Sequence, residues 1–200
     1  MILEKTINRA SKILKDSNIC SYELDAQLIL ASIMKLKRED LIVNNEINIS
    51  KNILEKYQAA INRRTKGEPV AYILGTKEFW NDEFLVNRDT LIPRPETELM
   101  IYKIKDYFKH KSINILDIGT GSGCILLSIL KEMDLSRGIG IDILHNAIKV
   151  AKSNSRKLDL INRSKFKVFN LDKFNEGKYD LIVSNPPYIP TKDLKNLSKD

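Results

Sequence analysis

The stretch Ile113-Asn-Ile-Leu-Asp117-Ile-Gly119-Thr120-Gly121-Ser122-Gly123-Cys124-Ile125 most narrows what this chain can fold into. Its apolar start, rich in β-formers, reads as a buried strand, and the alternating glycines read as a tight turn into a helix. Glycine lets the backbone turn sharply and lets a ligand come close to the main chain. A second apolar run, Gly138-Ile-Gly-Ile-Asp142-Ile, ends in a carboxylate 23 residues after Gly119. Strand, turn, helix and strand in this order specify a βαβ unit and a parallel sheet.

The spacing also excludes ligands. A dinucleotide fingerprint needs Gly or Ala where Cys124 stands, and no Gly-x-x-x-x-Gly-Lys phosphate loop is present. Asp117, two residues before the first glycine, would repel a pyrophosphate and suits a cationic ligand. Asp142 stands where an acid accepts hydrogen bonds from ribose hydroxyls. It also stands where a cap for a helix starting at His145 is expected, and both roles are compatible.

A third apolar run, Tyr179-Asp-Leu-Ile-Val-Ser184, is followed at once by Asn185-Pro186-Pro187-Tyr188. The prolines end the strand and fix the backbone. Asn185 is thereby left at a strand's carboxyl end, where open α/β sheets bind ligands. Carbonyl oxygens beside an aromatic face suit a planar NH2 group held by both hydrogens. Asn-Pro and Pro-Pro alone are ordinary loop dipeptides; the upstream glycine turn gives them weight. Four strands are expected, at about 113–118, 138–143, 166–170 and 179–184.

Residues 1 to about 70 show helical spacing without strand alternation. Ser21 is placed to cap a helix running to Met34, and Ile49–Arg64 is a second such stretch. Glu78 to Val86 alternates around Asn81-Asp82, a hairpin signal. Trp80, the sole tryptophan, reads as a core aromatic. Pro95-Glu96-Thr97-Glu98 reads as a helix start, with proline first and acids in the first turn.

No apolar span of membrane length occurs, and the amino terminus lacks the pattern of a signal peptide. Two cysteines, Cys20 and Cys124, fit a reducing, cytoplasmic setting better than a disulfide scaffold. No Cys/His cluster points to a metal, and His110 and His145 read as surface or capping residues. The net charge of +7 favours acidic partners. Lys149 to Lys167 carries seven basic residues against one Asp, a solvated helix face or a contact with RNA.

Taken together, the glycine turn, Asp142 and Asn185-Pro-Pro-Tyr188 resemble the class I S-adenosylmethionine-dependent methyltransferases. Gly67-Glu-Pro69, Phe79-Trp80 and Leu91-Ile-Pro93-Arg94-Pro95-Glu96-Thr97-Glu98 narrow the resemblance to the PrmC/HemK family. It covers nearly the whole chain, more loosely over the first 60 residues. It implies a fold of class α/β: a Rossmann-like sheet behind a helical substrate-recognition domain (1–72) and a β-hairpin linker (73–95), with the cofactor domain from 96 to 200. It implies S-adenosylmethionine held by Asp117, Gly119, Thr120, Gly121, Ser122, Gly123, Asp142, Asp172 and Asn185. The implied reaction methylates the side-chain amide of the glutamine in the Gly-Gly-Gln motif of class I peptide chain release factors, with an indirect ribosome or RNA contact as a further partner. Asn185, Pro186, Pro187 and Tyr188 would hold that amide, with Arg94 and Glu96 near the pocket. Family members carry an aromatic beside the acid at Asp172; here Lys173 follows, then Phe174.

An adenine-N6 methyltransferase acting on DNA or RNA shares the Asn185 motif, and a non-catalytic module that binds release factor is a third reading. The family sheet has seven strands in the order 3-2-1-4-5-7-6, and four are visible here. On that ground the chain is expected to be a fragment or remnant, with its fourth strand an exposed apolar edge, and residues 1–200 alone to be poorly soluble or inactive.

Overall fold

The computed structural model describes residues 2–43 and 47–186, with nothing said of the Ile42, Val43 and Asp172 side chains. Pro187 and Tyr188 lie outside the described residues. The chain divides into two compact units, one running to Leu74 and one starting at Gly75.

The first unit is helical: α1 Leu3–Asp16, α2 Tyr22–Met34, α3 Arg38–Val43, α4 Lys51–Arg64 and α5 Val70–Leu74. Its core gathers Leu3, Leu14, Ala26, Ile29, Leu30 and Ile61. Ser50 caps α4 by accepting from the Ile53 N–H at 3.4 Å. Ser21 does stand before α2, yet its hydroxyl donates to the Asp25 carboxylate at 2.8 Å rather than capping the backbone. Asp25 in turn meets Arg64 Nε at 2.7 Å, with both side chains buried. A buried carboxylate needs such partners, and that need draws the Ser21 hydroxyl away from the cap.

The second unit begins with an antiparallel hairpin, β1 Thr76–Phe79 and β2 Asp82–Leu85. Phe79 pairs with Asp82, so the two-residue loop is Trp80-Asn81, one position before the turn expected from the sequence. Trp80 takes φ +55°, unusual for an aromatic residue. Two hydrogen bonds hold it there: its N–H donates to Glu98 at 2.8 Å and its indole N–H to Glu132 at 2.7 Å. The ring packs on the same core that buries Phe79 and Phe84. The hairpin thus shares one core with the parallel sheet.

Pro95–Thr97 forms a 3₁₀ turn that leads into α6 Glu98–Tyr107. Then follow β3 Asn114–Ile118, α7 Cys124–Glu132, β4 Arg137–Asp142, α8 His145–Lys157, β5 Ser164–Val168, a 3₁₀ turn Leu171–Lys173 and β6 Leu181–Ser184. The four strands pair in parallel in the order β5-β4-β3-β6. The chain enters at β3, steps outward to β4 and β5, and returns to the other side of β3 as β6. The reversal creates a topological switch point at the carboxyl ends of β3 and β6, where a crevice opens. Among the described helices, none is long and apolar enough to cross a membrane.

Candidate functional site

A cavity of about 390 Å³ lies at that switch point. Gly119 and Gly121 form part of its wall, Asp142 another part, and Asn185 with Pro186 a third. The volume is within the range of roughly 300–1,000 Å³ usual for small-molecule sites.

The glycine turn is pinned at both ends. Gly119 and Thr120 donate their N–H groups to the Ile141 carbonyl at 2.9 and 3.0 Å, and Gly123 donates to the Thr120 carbonyl at 2.8 Å. The three glycines take φ of +70°, +54° and +80°, the left-handed conformation that side chains disfavour. A Cβ at Gly119 would meet nothing within 4 Å, whereas one at Gly123 would crowd Phe166 and Leu127. The first glycine serves backbone shape and leaves open space beside the main chain; the third serves helix packing.

Asp142 does two jobs at once. Its Oδ2 accepts the Gly121 N–H at 3.0 Å and its Oδ1 accepts the Leu144 N–H at 2.9 Å, two residues on and just ahead of α8. It therefore fixes the glycine turn against the helix start while forming part of the cavity wall. Asp117 is placed differently. It is 1% exposed, lies beneath the turn and is absent from the cavity wall. Its Oδ2 accepts the Thr120 hydroxyl at 2.6 Å, and Oδ1 lacks a hydrogen-bond partner among the described residues. Burial pushes this carboxyl up to about 6, against the opposing pull of the Thr120 bond. Ser122 is buried as well. Cys124, the first residue of α7, is buried, and burial raises its thiol to about 12, which makes it inert as a nucleophile.

At the end of β6, the Ser184 hydroxyl donates to the Ile118 carbonyl at 2.9 Å, joining the two strand ends that frame the crevice. Asn185 Nδ2 donates to Thr97 Oγ1 at 3.4 Å. That bond ties the Asn185 side chain to Thr97. The segment Arg94–Glu98 thus reaches the site through Thr97. Arg94 and Glu96, placed near the pocket by the resemblance, are exposed and form no part of the cavity wall. Both flank the proline that opens the 3₁₀ turn, and this tight turn points them to solvent. Asp172 falls in the 3₁₀ turn after β5, and its neighbour Leu171 lines the cavity. Among the described residues the aromatic on the wall is Phe169, backed edge-on by Phe174 at 5.3 Å between ring centres. It precedes Asp172 instead of following it.

Asp89 and Leu91 also line the cavity. They escaped the sequence reading because they come from an irregular loop without periodicity. Asn154 escaped too, although a signal existed. The residues of α8 that turn inward are Ala147, Ile148, Ala151, Asn154 and Ser155, so an amide sits on an apolar stripe and demands buried partners.

An open sheet reversing at a glycine turn, with an acid at the end of the second strand and an asparagine after the fourth, defines a Rossmann-like methyltransferase. Residues 109–199 match the family description "Methyltransferase domain", and residues 5–75 match "PrmC N-terminal domain". The release factor glutamine methyltransferase of Caulobacter vibrioides is 34% identical over 202 residues, covering 100% of this chain and 70% of its own length. The chain belongs to the release factor glutamine methyltransferase family. Its counterpart in Buchnera aphidicola subsp. Schizaphis graminum is 42% identical over 176 residues, which are 88% of this chain. This chain spans 64% of that relative, and 40% of the bifunctional methyltransferase of Rickettsia bellii, to which it is 36% identical.

Proposed function

We propose that this chain carries the cofactor and amide sites of an enzyme that methylates the side-chain nitrogen of the glutamine in the Gly-Gly-Gln motif of class I release factors. The observation that carries this reading is the convergence of Gly119, Gly121, Asp142 and Asn185 on one cavity. S-adenosylmethionine fits the residues present: a carboxylate for ribose hydroxyls, an aromatic wall at Phe169, open backbone at Gly119, and a buried carboxylate, Asp117, beneath the turn to balance positive charge. When bound, it supplies an electrophilic methyl group on a sulfonium.

The protein's part is positioning. An amide nitrogen shares its lone pair with its carbonyl and is a poor nucleophile, so a general base has little to gain near neutral pH. Asn185 Oδ1 and the Pro186 carbonyl accept the two N–H hydrogens of the substrate amide. Accepting both holds the nitrogen in place and favours the partial positive charge that develops on it; as the N–C bond formed and the S–CH3 bond broke to leave a neutral thioether, the nitrogen would lose one of its two protons to water. Positioning of this kind is worth up to roughly 7–11 kcal/mol, and a displacement of about 1 Å can remove roughly 100-fold in rate. The prolines after Asn185 keep that displacement small.

The test is transfer of a labelled methyl group, by an enzyme of its relatives' full length that carries residues 1–200, to three acceptors: intact release factor, release factor with its Gly-Gly-Gln glutamine replaced, and duplex DNA. Label is expected on the first alone. Label on DNA would establish the adenine reading. Cofactor binding without label anywhere would leave a non-catalytic docking module.

A further inference from the structure

We infer that Asn154 is the positioning residue that locks the two walls of the cofactor cavity to one another; the inference rests on the methyltransferase reading above. One wall is the glycine turn, with Gly119 and Gly121. The facing loop, with Asp89 and Leu91, leaves the hairpin immediately after β2. Among the described residues no strand pairing joins the two.

Asn154 joins them. It is 0% exposed. Its Nδ2 donates to the Ser122 carbonyl of the glycine turn at 2.8 Å and to the Leu85 carbonyl at 2.9 Å. Its Oδ1 accepts the Leu85 N–H at 2.7 Å. Two carbonyls and one N–H admit only one orientation of the amide, so the side chain is fully determined. The hairpin explains why Leu85 needs such a partner. Val86 donates inward to the Gly75 carbonyl at 3.0 Å, so Leu85, one residue earlier, turns both its polar groups to the outer edge. The Asn154 amide takes the place of a neighbouring strand there. Lys157, one turn along α8, repeats the device and donates to the Glu83 carbonyl at 2.8 Å.

Of these two side chains, Asn154 reaches the glycine turn as well. Removing it leaves the part-buried Leu85 N–H and carbonyl and the buried Ser122 carbonyl without this partner. Neither aspartate nor a longer amide restores all three bonds. A purely structural role would lower stability alone; a locking role also makes each wall respond to what binds the other.

The experiment measures S-adenosylhomocysteine affinity by calorimetry and amide exchange over residues 85–91 and 119–123, with and without that ligand. Asn154→Ala is compared with Ile104→Ala, a core substitution on α6, none of whose residues lines the cavity. Asn154→Ala is expected to weaken binding by about tenfold or more, to raise exchange in both segments together, and to abolish ligand-induced protection of residues 85–91. Ile104→Ala is expected to lower the melting temperature while leaving affinity within about twofold. Equal affinity in Asn154→Ala, or an equal loss in Ile104→Ala, overturns the inference. Should Asn154→Ala not fold, the wild-type protein decides: protection of the Leu85 amide on ligand binding supports the lock, and its absence overturns it. If the wild-type protein binds no S-adenosylhomocysteine, the methyltransferase reading fails, and the inference then stands or falls on whether both segments lose protection together in Asn154→Ala without ligand.

Discussion

Asp117 and Asp142 stand on either side of one glycine turn, and their surroundings divide the work between them. Asp142 accepts two backbone N–H bonds and borders the cavity. Asp117 is buried with its carboxyl held at about 6, chiefly by desolvation and to a smaller degree by the charge of Asp142. A carboxyl raised above its ordinary 3.8 binds more protons folded than unfolded between those two values. Its contribution to stability is therefore complete below about 4 and is lost as pH rises through about 6. A cation in the cavity acts in the opposite sense, because it favours the carboxylate. S-adenosylmethionine affinity is expected to rise with pH through about 6, with proton release on binding below it. Asp117→Asn is expected to flatten that dependence. Calorimetry in two buffers of different ionisation enthalpy reads both effects, and a pH-independent affinity in the wild type would remove Asp117 from the binding argument. In the proposed reaction Asn185 serves the transfer step. Asn185→Ala is expected to slow methylation by roughly 100-fold or more. Asn185→Asp keeps an acceptor oxygen and is expected to lose less. Equal rates for wild type and the alanine variant in a labelled-methyl assay would end the acceptor model.

The strand β4 shows how an element transmits sequence to site. Of its two glycines, Gly138 leaves room for Leu126 of α7, and Gly140 for Phe166 of β5 and Thr120 of the glycine turn. A Cβ at Gly140 would lie 2.6 Å from the Phe166 ring and 2.7 Å from Thr120 Oγ1. Both neighbours resist displacement: Phe166 is in the core, and Thr120 is held by Asp117. Gly140→Ala is expected to destabilise by about 1–3 kcal/mol and to weaken S-adenosylhomocysteine binding through the shifted glycine turn. Thermal melts with and without that ligand separate the two effects, and an unchanged ligand-induced shift would show that the turn tolerates the strain. What could be read in advance also divides by element. The strands β3, β4 and β6 were legible because apolar runs ended in a glycine turn, an acid and a prolyl stop; β5, expected at 166–170, has no such stop and lies two residues earlier, at Ser164–Val168. The hairpin was legible but displaced by one residue, since no local pattern announces that a tryptophan accepts a positive φ in exchange for two carboxylate partners. Thr97, Asp89, Leu91 and Phe169 were not legible: their places follow from how loops return over the sheet, and loops have no period. Asn154 was legible in principle, as an amide on the buried stripe of α8, but only with the helix register in hand.

At the scale of the molecule, each unit has a core that shares no residue with the other. Cores that are separately complete are expected to melt separately. The helical unit depends on a buried pair, Arg64 with Asp25, whose side chains are 9% and 6% exposed. Arg64 also donates to the Glu68 carbonyl at 3.3 Å. Arg64→Ala leaves the Asp25 carboxylate buried beside Ser21 without its cation, a loss of about 3–5 kcal/mol. On the proposed reading S-adenosylhomocysteine binds the other unit and stabilises whichever state binds it by mass action. Two transitions are therefore expected in scanning calorimetry. The ligand should move one upward, and Arg64→Ala should move the other downward. The same variant separates recognition from chemistry. If the helical unit holds the release factor, then near the lowered transition the KM for release factor rises while S-adenosylhomocysteine affinity is unchanged. Binding energy remote from the reacting atoms is lost in that case, and the cavity is left intact. A loss of S-adenosylhomocysteine affinity in Arg64→Ala, or one transition moved by both perturbations, would mean that the cofactor cavity draws its stability from the helical unit, and the division of labour proposed for the two would have to be abandoned.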